Sequence, residues 1–268
     1  MAFVLGGGGV LGATQVGMLR ALADVEVRPD LVVGTSVGAL NGALLAADPS
    51  PDSLGRLTEL WSSLSASDVF SGGLLRRART LAQYGTHLHS SAPLRRLLAE
   101  SLPETFEDLE VPFQCVAAEI ESAVARWFES GPLVDAVLAS CAVPGLLPPV
   151  RIGDTHFLDG GLVHSIPVGR AIALGARTVY VLHVGRVERP LSPPRRPWEV
   201  GLVAFEIARR HRYVEEMASV PEGTRVVVLR SGMEDTPLVT VRYRDTRRIG
   251  ARIERAYQAS RAVLEEAP

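Results

Sequence analysis

Apolar positions recur along the chain at two spacings, and the order of those spacings predicts a fold. Ala2-Phe3-Val4-Leu5 is a short apolar run closed by glycine, the pattern of a buried strand. After a loop over Gly6 to Gly9, the residues Val10, Leu11, Val16, Leu19 and Leu22 return at helical spacing to about Ala23. Asp30-Leu31-Val32-Val33 reads as a second buried strand, and Gly34-Thr35-Ser36-Val37-Gly38 turns into an Ala/Leu-rich helix reaching about Ala47. Pro49-Ser50-Pro51 breaks the chain, and helices are expected over Ser53–Leu64 and Ser91–Leu102, the second with Pro93 early in its first turn. Residues 65–90 are irregular and are read as a surface excursion or lid.

Farther along, Phe113–Ile120 and Val124–Phe128 look like strands, Leu133–Ser140 like a helix ending before the Pro144-Gly145 turn. Short strands near Val150 and over His156-Phe157-Leu158 lead into Asp159-Gly160-Gly161. Val179–Leu182 is another buried strand. Four prolines between 190 and 197 mark a loop. A helix from Trp198 to about Ala218, a strand Arg225–Leu229 and a charged helix from about Arg244 complete the pattern. Strand, helix, strand, helix within 47 residues predicts an α/β fold: a three-layer α/β/α sandwich with a mainly parallel central sheet and right-handed crossovers. Residues 1–185 form the expected core, with the lid at 65–90, and 186–268 a mainly helical C-terminal part of the same domain.

Composition narrows the function. The chain has 268 residues, 47% hydrophobic, with a formal net charge of -2. Such a balance supports a sizeable core and gives no basic excess for nucleic acid. All 28 basic residues are arginine. Without lysine, neither a Walker-type phosphate loop nor a pyridoxal Schiff base can be built. Cys115 and Cys141 are too few and wrongly spaced for a disulfide framework or a C-x-x-C site, and read as buried thiols. There is no signal sequence pattern and no apolar run of about 18 residues, so a cytoplasmic protein is expected, with peripheral membrane contact left open.

Chemistry concentrates at Ser36. Gly34-x-Ser36-x-Gly38 lies between a strand and a helix, the setting a nucleophile elbow requires. The glycines permit a tight turn, and the helix that follows aims its positive end at the site. Gly6 to Gly9 end the preceding strand, where glycine backbones can bring N–H donors close to a developing oxyanion. Neighbouring parallel strands end on one sheet edge, so loops 6–9 and 34–38 are expected to meet at one crevice.

Two other readings compete. Gly7-x-Gly9-x-x-Gly12 fits a dinucleotide fingerprint, but the second strand ends in Val33-Gly34-Thr35-Ser36 with no acid for a ribose, and Asp30 precedes that strand. A binding protein without turnover therefore stays open, as does a Ser-Asp-His esterase with His183 or His211 as its last member. Against the triad, only two strands precede the serine, where an α/β-hydrolase has several. The other candidate base is Asp159, in an Asp-Gly-Gly that also fits an ordinary turn.

These motifs, taken in order, resemble the patatin-like phospholipases. Gly7-Gly8-Gly9-Val10-Leu11-Gly12 is similar to that family's oxyanion loop and Gly34-Thr35-Ser36-Val37-Gly38 to its elbow. Ala139 to Gly145 resembles the small-residue segment upstream of its aspartate. Asp159-Gly160-Gly161-Leu162-Val163, with Ile166-Pro167-Val168, resembles its aspartate block. The resemblance spans residues 3 to about 184. It implies a Ser36–Asp159 dyad, oxyanion donors at Gly7, Gly8 and Gly9, supporting roles for Gly12, Gly34, Gly38, Gly160 and Gly161, no metal or cofactor, and hydrolysis of acyl esters in lipids. Two positions depart from the family: Leu11 stands where Arg or Lys is frequent, and His164 where Asn is frequent. His164 is then either an imidazole beside Asp159 or a structural histidine. The lid tract, with Val69, Phe70, Leu74, Leu75 and Leu81, could line an acyl groove. Arg76-Arg77-Ala78-Arg79 within it is either an anionic-lipid contact or a solvated loop.

Overall fold

A computed structural model describes residues 1–66, 80, 85–184, 190–232 and 249–266 of the chain. Most of the tract expected as a lid lies outside the described residues, including Val69, Phe70, Leu74, Leu75, Arg76 to Arg79 and Leu81. The start expected for the last helix, from Arg244 to 248, lies outside them too.

Strands β1 (Ala2–Leu5), β2 (Leu31–Thr35), β3 (Phe113–Glu119), β4 (Ala125–Phe128), β5 (Val150–Ile152), β6 (Thr155–Asp159), β7 (Thr178–Leu182) and β8 (Arg225–Leu229) form one mixed sheet. Five of them are parallel in the order β3-β2-β1-β7-β8. β4 and β6 both pair with β3 antiparallel, and β5 pairs with β6. β8 extends the sheet beyond β7, so the C-terminal part contributes a strand as well as helices.

The helices are α1 (Ala13–Asp24), α2 (Val37–Ala47), α3 (Asp52–Ala66), α4 (Ala92–Ser101), α5 (Leu133–Ser140), α6 (Val168–Ala173), α7 (Pro197–Ala218) and α8 (Ile249–Glu266). Side chains alternate across a strand, and here both faces are covered. Phe3, Leu5, Tyr180 and Leu182 join the core beneath α1, α2 and α8, while Ala2, Val4, Val179 and Val181 join a second core beneath α6 and α7. Covering on both faces explains why these strands read as continuous apolar runs. Among the described residues no helix is long and apolar enough to cross a membrane.

The register of β3 decides where the site forms. Val116 pairs with Thr35 of β2 and with Trp127 of β4, so β2 and β4 occupy opposite edges of β3. Ala117 pairs with Arg126 of β4 and with Asp159 of β6, so β6 also lies opposite β4. β2 and β6 therefore share one edge of β3 and meet end to end, Thr35 facing Val116 and Asp159 facing the next residue.

Candidate active site

Ser36 ends β2 and starts α2 with its backbone at φ 55° and ψ −126°. L residues avoid that region, and holding one there costs about 1–3 kcal/mol. The surroundings fix it. Its N–H donates to Ser140 Oγ at 2.9 Å, and its carbonyl accepts from the Cys141 thiol at 3.1 Å and from the Ala39 N–H at 2.8 Å. Gly38 packs so closely under β1 that a Cβ there would stand 2.0 Å from the Leu5 carbonyl oxygen. Gly34 in turn lies against the Gly38 carbonyl, and Gly12 against Val37 and Trp61.

Asp159 arrives at the same point from the other direction. The Ser36 hydroxyl donates to its Oδ2 at 2.6 Å. Its Oδ1 accepts the Gly161 N–H at 2.7 Å, and its own N–H donates to Ala142 at 2.9 Å, so the small-residue segment before the Pro144 turn buttresses it. Gly160 backs onto β3, where a Cβ would come within 2.1 Å of the Val116 carbonyl oxygen. Burial raises the Asp159 pKa to about 6, against the opposing pull of the hydrogen bonds from Ser36 and Gly161 and of the Arg209 charge.

The glycine loop touches the elbow: a Cβ on Gly7 would stand 3.2 Å from Cβ of Ser36. Three of the loop's carbonyls are held by buried side chains. Gly6 O accepts from Gln15 Nε2 at 2.8 Å, Gly12 O from Asn41 Nδ2 at 3.0 Å, and Gly7 O from Arg209 Nη1 at 3.0 Å. Asn41 also donates to Gln15 Oε1 at 2.7 Å and accepts from Trp61 Nε1 at 3.0 Å. The N–H of Gly7, expected among the oxyanion donors, donates to the Ser165 carbonyl at 2.9 Å. Among the described residues nothing accepts from the N–H of Gly8 or Gly9. Gly9 takes φ 57°, open to glycine, at the start of a short 3₁₀ turn.

The histidines fall elsewhere. His211 is exposed on α7, 3.5 Å from Glu215. His183 is buried against the Tyr213 ring, and burial together with Arg209 and Arg210 pushes its pKa down to about 3. The Ser36 proton points at Asp159 and not at either ring. His164 is held on three sides: Nδ1 sits 2.7 Å from Glu216 Oε1, its ring lies against Trp127, and its carbonyl accepts from Thr35 Oγ1 at 2.7 Å. Asp30 pairs with the N-terminal amine of Met1 at 2.7 Å, at the start of β2 and away from the glycine loop. Among the described residues no group of three or more His, Cys, Asp or Glu side chains is placed to hold a metal ion. A surface depression of about 460 Å³ between α1 and α3, with Arg20, Asp24, Leu54 and Thr58 in its lining, shares no residue with this site.

Fold and site together define an α/β sandwich that carries a serine–aspartate pair at a strand-to-helix elbow. The chain belongs to the patatin-like phospholipase family, whose model, described as Patatin-like phospholipase, matches residues 3–172. Patatin-like phospholipase domain-containing protein ZK370.4 of Caenorhabditis elegans is 34% identical over 193 residues, 70% of this chain and 14% of that protein. Patatin-like phospholipase domain-containing protein 7 of Rattus norvegicus is 34% identical over 187 residues, again 14% of its length. Lysophospholipase NTE1 of Mycosarcoma maydis is 31% identical over 192 residues, 10% of its length. The chain thus spans a small fraction of these relatives. Among solved structures, VipD from Legionella pneumophila shares the fold with a TM-score of 0.53 at 14% identity, covering 99% of this chain and 66% of VipD.

Proposed function

We propose that the protein is a serine-dependent acyl-ester hydrolase acting on lipids, of phospholipase A, lysophospholipase or carboxylesterase type. The observation that carries the reading is the 2.6 Å hydrogen bond from the strained Ser36 to buried Asp159. The family, and relatives whose names include phospholipase and lysophospholipase, support the lipid substrate class.

In this reading Asp159 Oδ2 takes the Ser36 hydroxyl proton as Oγ attacks the acyl carbonyl. An exposed aspartate, with a pKa near about 3.9, is a weak base for a serine. The raised pKa of Asp159 narrows that gap while leaving it ionised at neutral pH. Charge that builds on the carbonyl oxygen is met by the N–H groups of Gly8 and Gly9 and by the positive end of α2. When the adduct collapses, the C–O bond to the alcohol breaks and the proton on Asp159 passes to the departing oxygen. Water then attacks the Ser36 ester. Asp159 takes the water's proton and returns it to Oγ as the fatty acid leaves. An alkoxide needs less acid assistance than an amine, so esters are favoured over amides.

Hydrolysis of p-nitrophenyl esters of graded chain length tests this, with Ser36→Ala and Asp159→Asn beside the parent. The expected result is parental activity that rises with chain length, and a loss of at least about a thousandfold in each variant. Equal activity in all three proteins overturns the assignment. Labelling of the parent by a fluorophosphonate, absent in Ser36→Ala, separates an activated serine from a binding protein.

A further inference from the structure

We propose that Arg209, which lies beyond the segment the family model matches, is a positioning residue whose guanidinium clamps the Gly7 carbonyl and so aims the Gly8 N–H at the oxyanion. The inference rests on the hydrolase reading above and extends it to the C-terminal part of the chain.

The glycine loop, residues 6–12, carries no charged side chain of its own. A cation reaches it from α7. Arg209 is 7% exposed, and its Nη1 donates to Gly7 O at 3.0 Å and lies 3.4 Å from Ser165 Oγ. Its Nε faces Glu206 Oε1 at 3.4 Å. Burying a guanidinium is expensive unless its donors are used. Here Nη1 is spent on the glycine loop's carbonyl and the Ser165 hydroxyl, while Nε has an ion-pair neighbour in Glu206 but no hydrogen-bond partner among the described residues.

The peptide linking Gly7 and Gly8 is a planar trans unit, as nearly all peptide bonds are, and no cis bond occurs among the described residues. Within such a unit the Gly7 C=O and the Gly8 N–H point in opposite directions. Fixing the oxygen with Arg209 therefore fixes the direction of the hydrogen on the other side. The preceding peptide is held the same way at both ends, its Gly6 oxygen by Gln15 and its Gly7 N–H by the Ser165 carbonyl. A carbonyl bound to a cation also makes its own peptide N–H a stronger donor. The same charge acts on Asp159, whose pKa Arg209 pulls down against burial.

The test uses Arg209→Met and Arg209→Lys in the full chain, assayed on esters across pH, with melting curves and fluorophosphonate labelling. Arg209→Met is expected to lower kcat by about 10- to 100-fold with KM nearly unchanged. It is also expected to move the acid limb of the rate profile to higher pH. Arg209→Lys keeps the charge, so its limb stays at the parent's position. Its kcat falls by a smaller factor, because one ammonium cannot span both oxygens. A folded Arg209→Met with parental kcat, or with its acid limb in place, overturns the proposal. Where Arg209→Met does not fold, parental kcat in Arg209→Lys overturns it. A parent that neither hydrolyses esters nor takes the label removes the hydrolase reading, and the clamp with it. A labelled parent with unaltered variants removes the clamp alone.

Discussion

Ser36 and Asp159 stand 2.6 Å apart, yet two unlike halves of the sheet deliver them. The serine half is parallel and local: β1, α1, β2 and α2 follow one another within residues 2–47, and the strain at Ser36 is absorbed by glycines packed against β1. The aspartate half is antiparallel and remote: β6 returns against β3 more than a hundred residues later, and Asp159 is placed by pairing with Ala117. In the first half geometry is stored in the turn itself. In the second it is stored in a strand register, which any bulge in β3 or β6 would shift.

The difference can be broken first at the glycines. Gly38→Ala drives a methyl into the Leu5 carbonyl, and Gly160→Ala drives one into that of Val116. Backbone cannot give way as a flexible side chain does, so each is expected to cost more than about 3 kcal/mol in urea unfolding. A Gly160→Ala protein that keeps parental stability would show the aspartate half to be plastic where the serine half is not.

A smaller effect separates the two members of the pair. The native state holds the Asp159 proton up to pH about 6, whereas the unfolded chain releases it near the ordinary aspartate value of 3.8. Parent stability from this group therefore falls as pH rises through that window, and the penalty is complete above it. Asp159→Asn carries no such penalty. It is expected to melt higher than the parent above pH 6, by up to roughly 2–3 kcal/mol, with the gap closing toward pH 4. The parent's kcat/KM should fall along an acid limb near the same pH. A variant less stable than the parent at neutral pH would mean that burial does not strain this carboxylate.

The smallest effect lies at Ser140, whose hydroxyl accepts the Ser36 N–H and joins the aspartate half to the elbow. Ser140→Ala leaves that buried N–H without its acceptor, a cost of about 1–3 kcal/mol. The rate constant for fluorophosphonate labelling should fall with it. Unchanged labelling would show that the turn holds its geometry without help from α5.

Local features were legible in the sequence. Apolar spacing and glycine placement gave β1 through α2 and the elbow, because both are set by residues close in the chain. The strands at 113–119 and 155–159 were also visible, but their antiparallel pairing onto β3 was not, since pairing is decided by contacts across the fold. Gln15, Asn41, Trp61 and Arg209 were passed over. Asn41 had a signal, a lone amide on an otherwise apolar helix, whereas Gln15 shares its helix with Thr14, Arg20 and Asp24 and had none. Arg209 had none, because nothing in the run Arg209-Arg210-His211-Arg212 marks which side chain reaches the glycine loop.

The end-to-end meeting of β2 and β6 on one edge of β3 makes the distance between Ser36 and Asp159 independent of the length of chain between the two residues. Neither the tract after α2 nor that around α4 enters the spacing, which Val116 and Ala117 gauge like adjacent marks on a ruler. Length changes in the linkers between residues 48 and 112 leave that distance as it is, provided that α3 keeps Trp61 against Gly12 and Asn41. The same gauge can then sit within different surroundings.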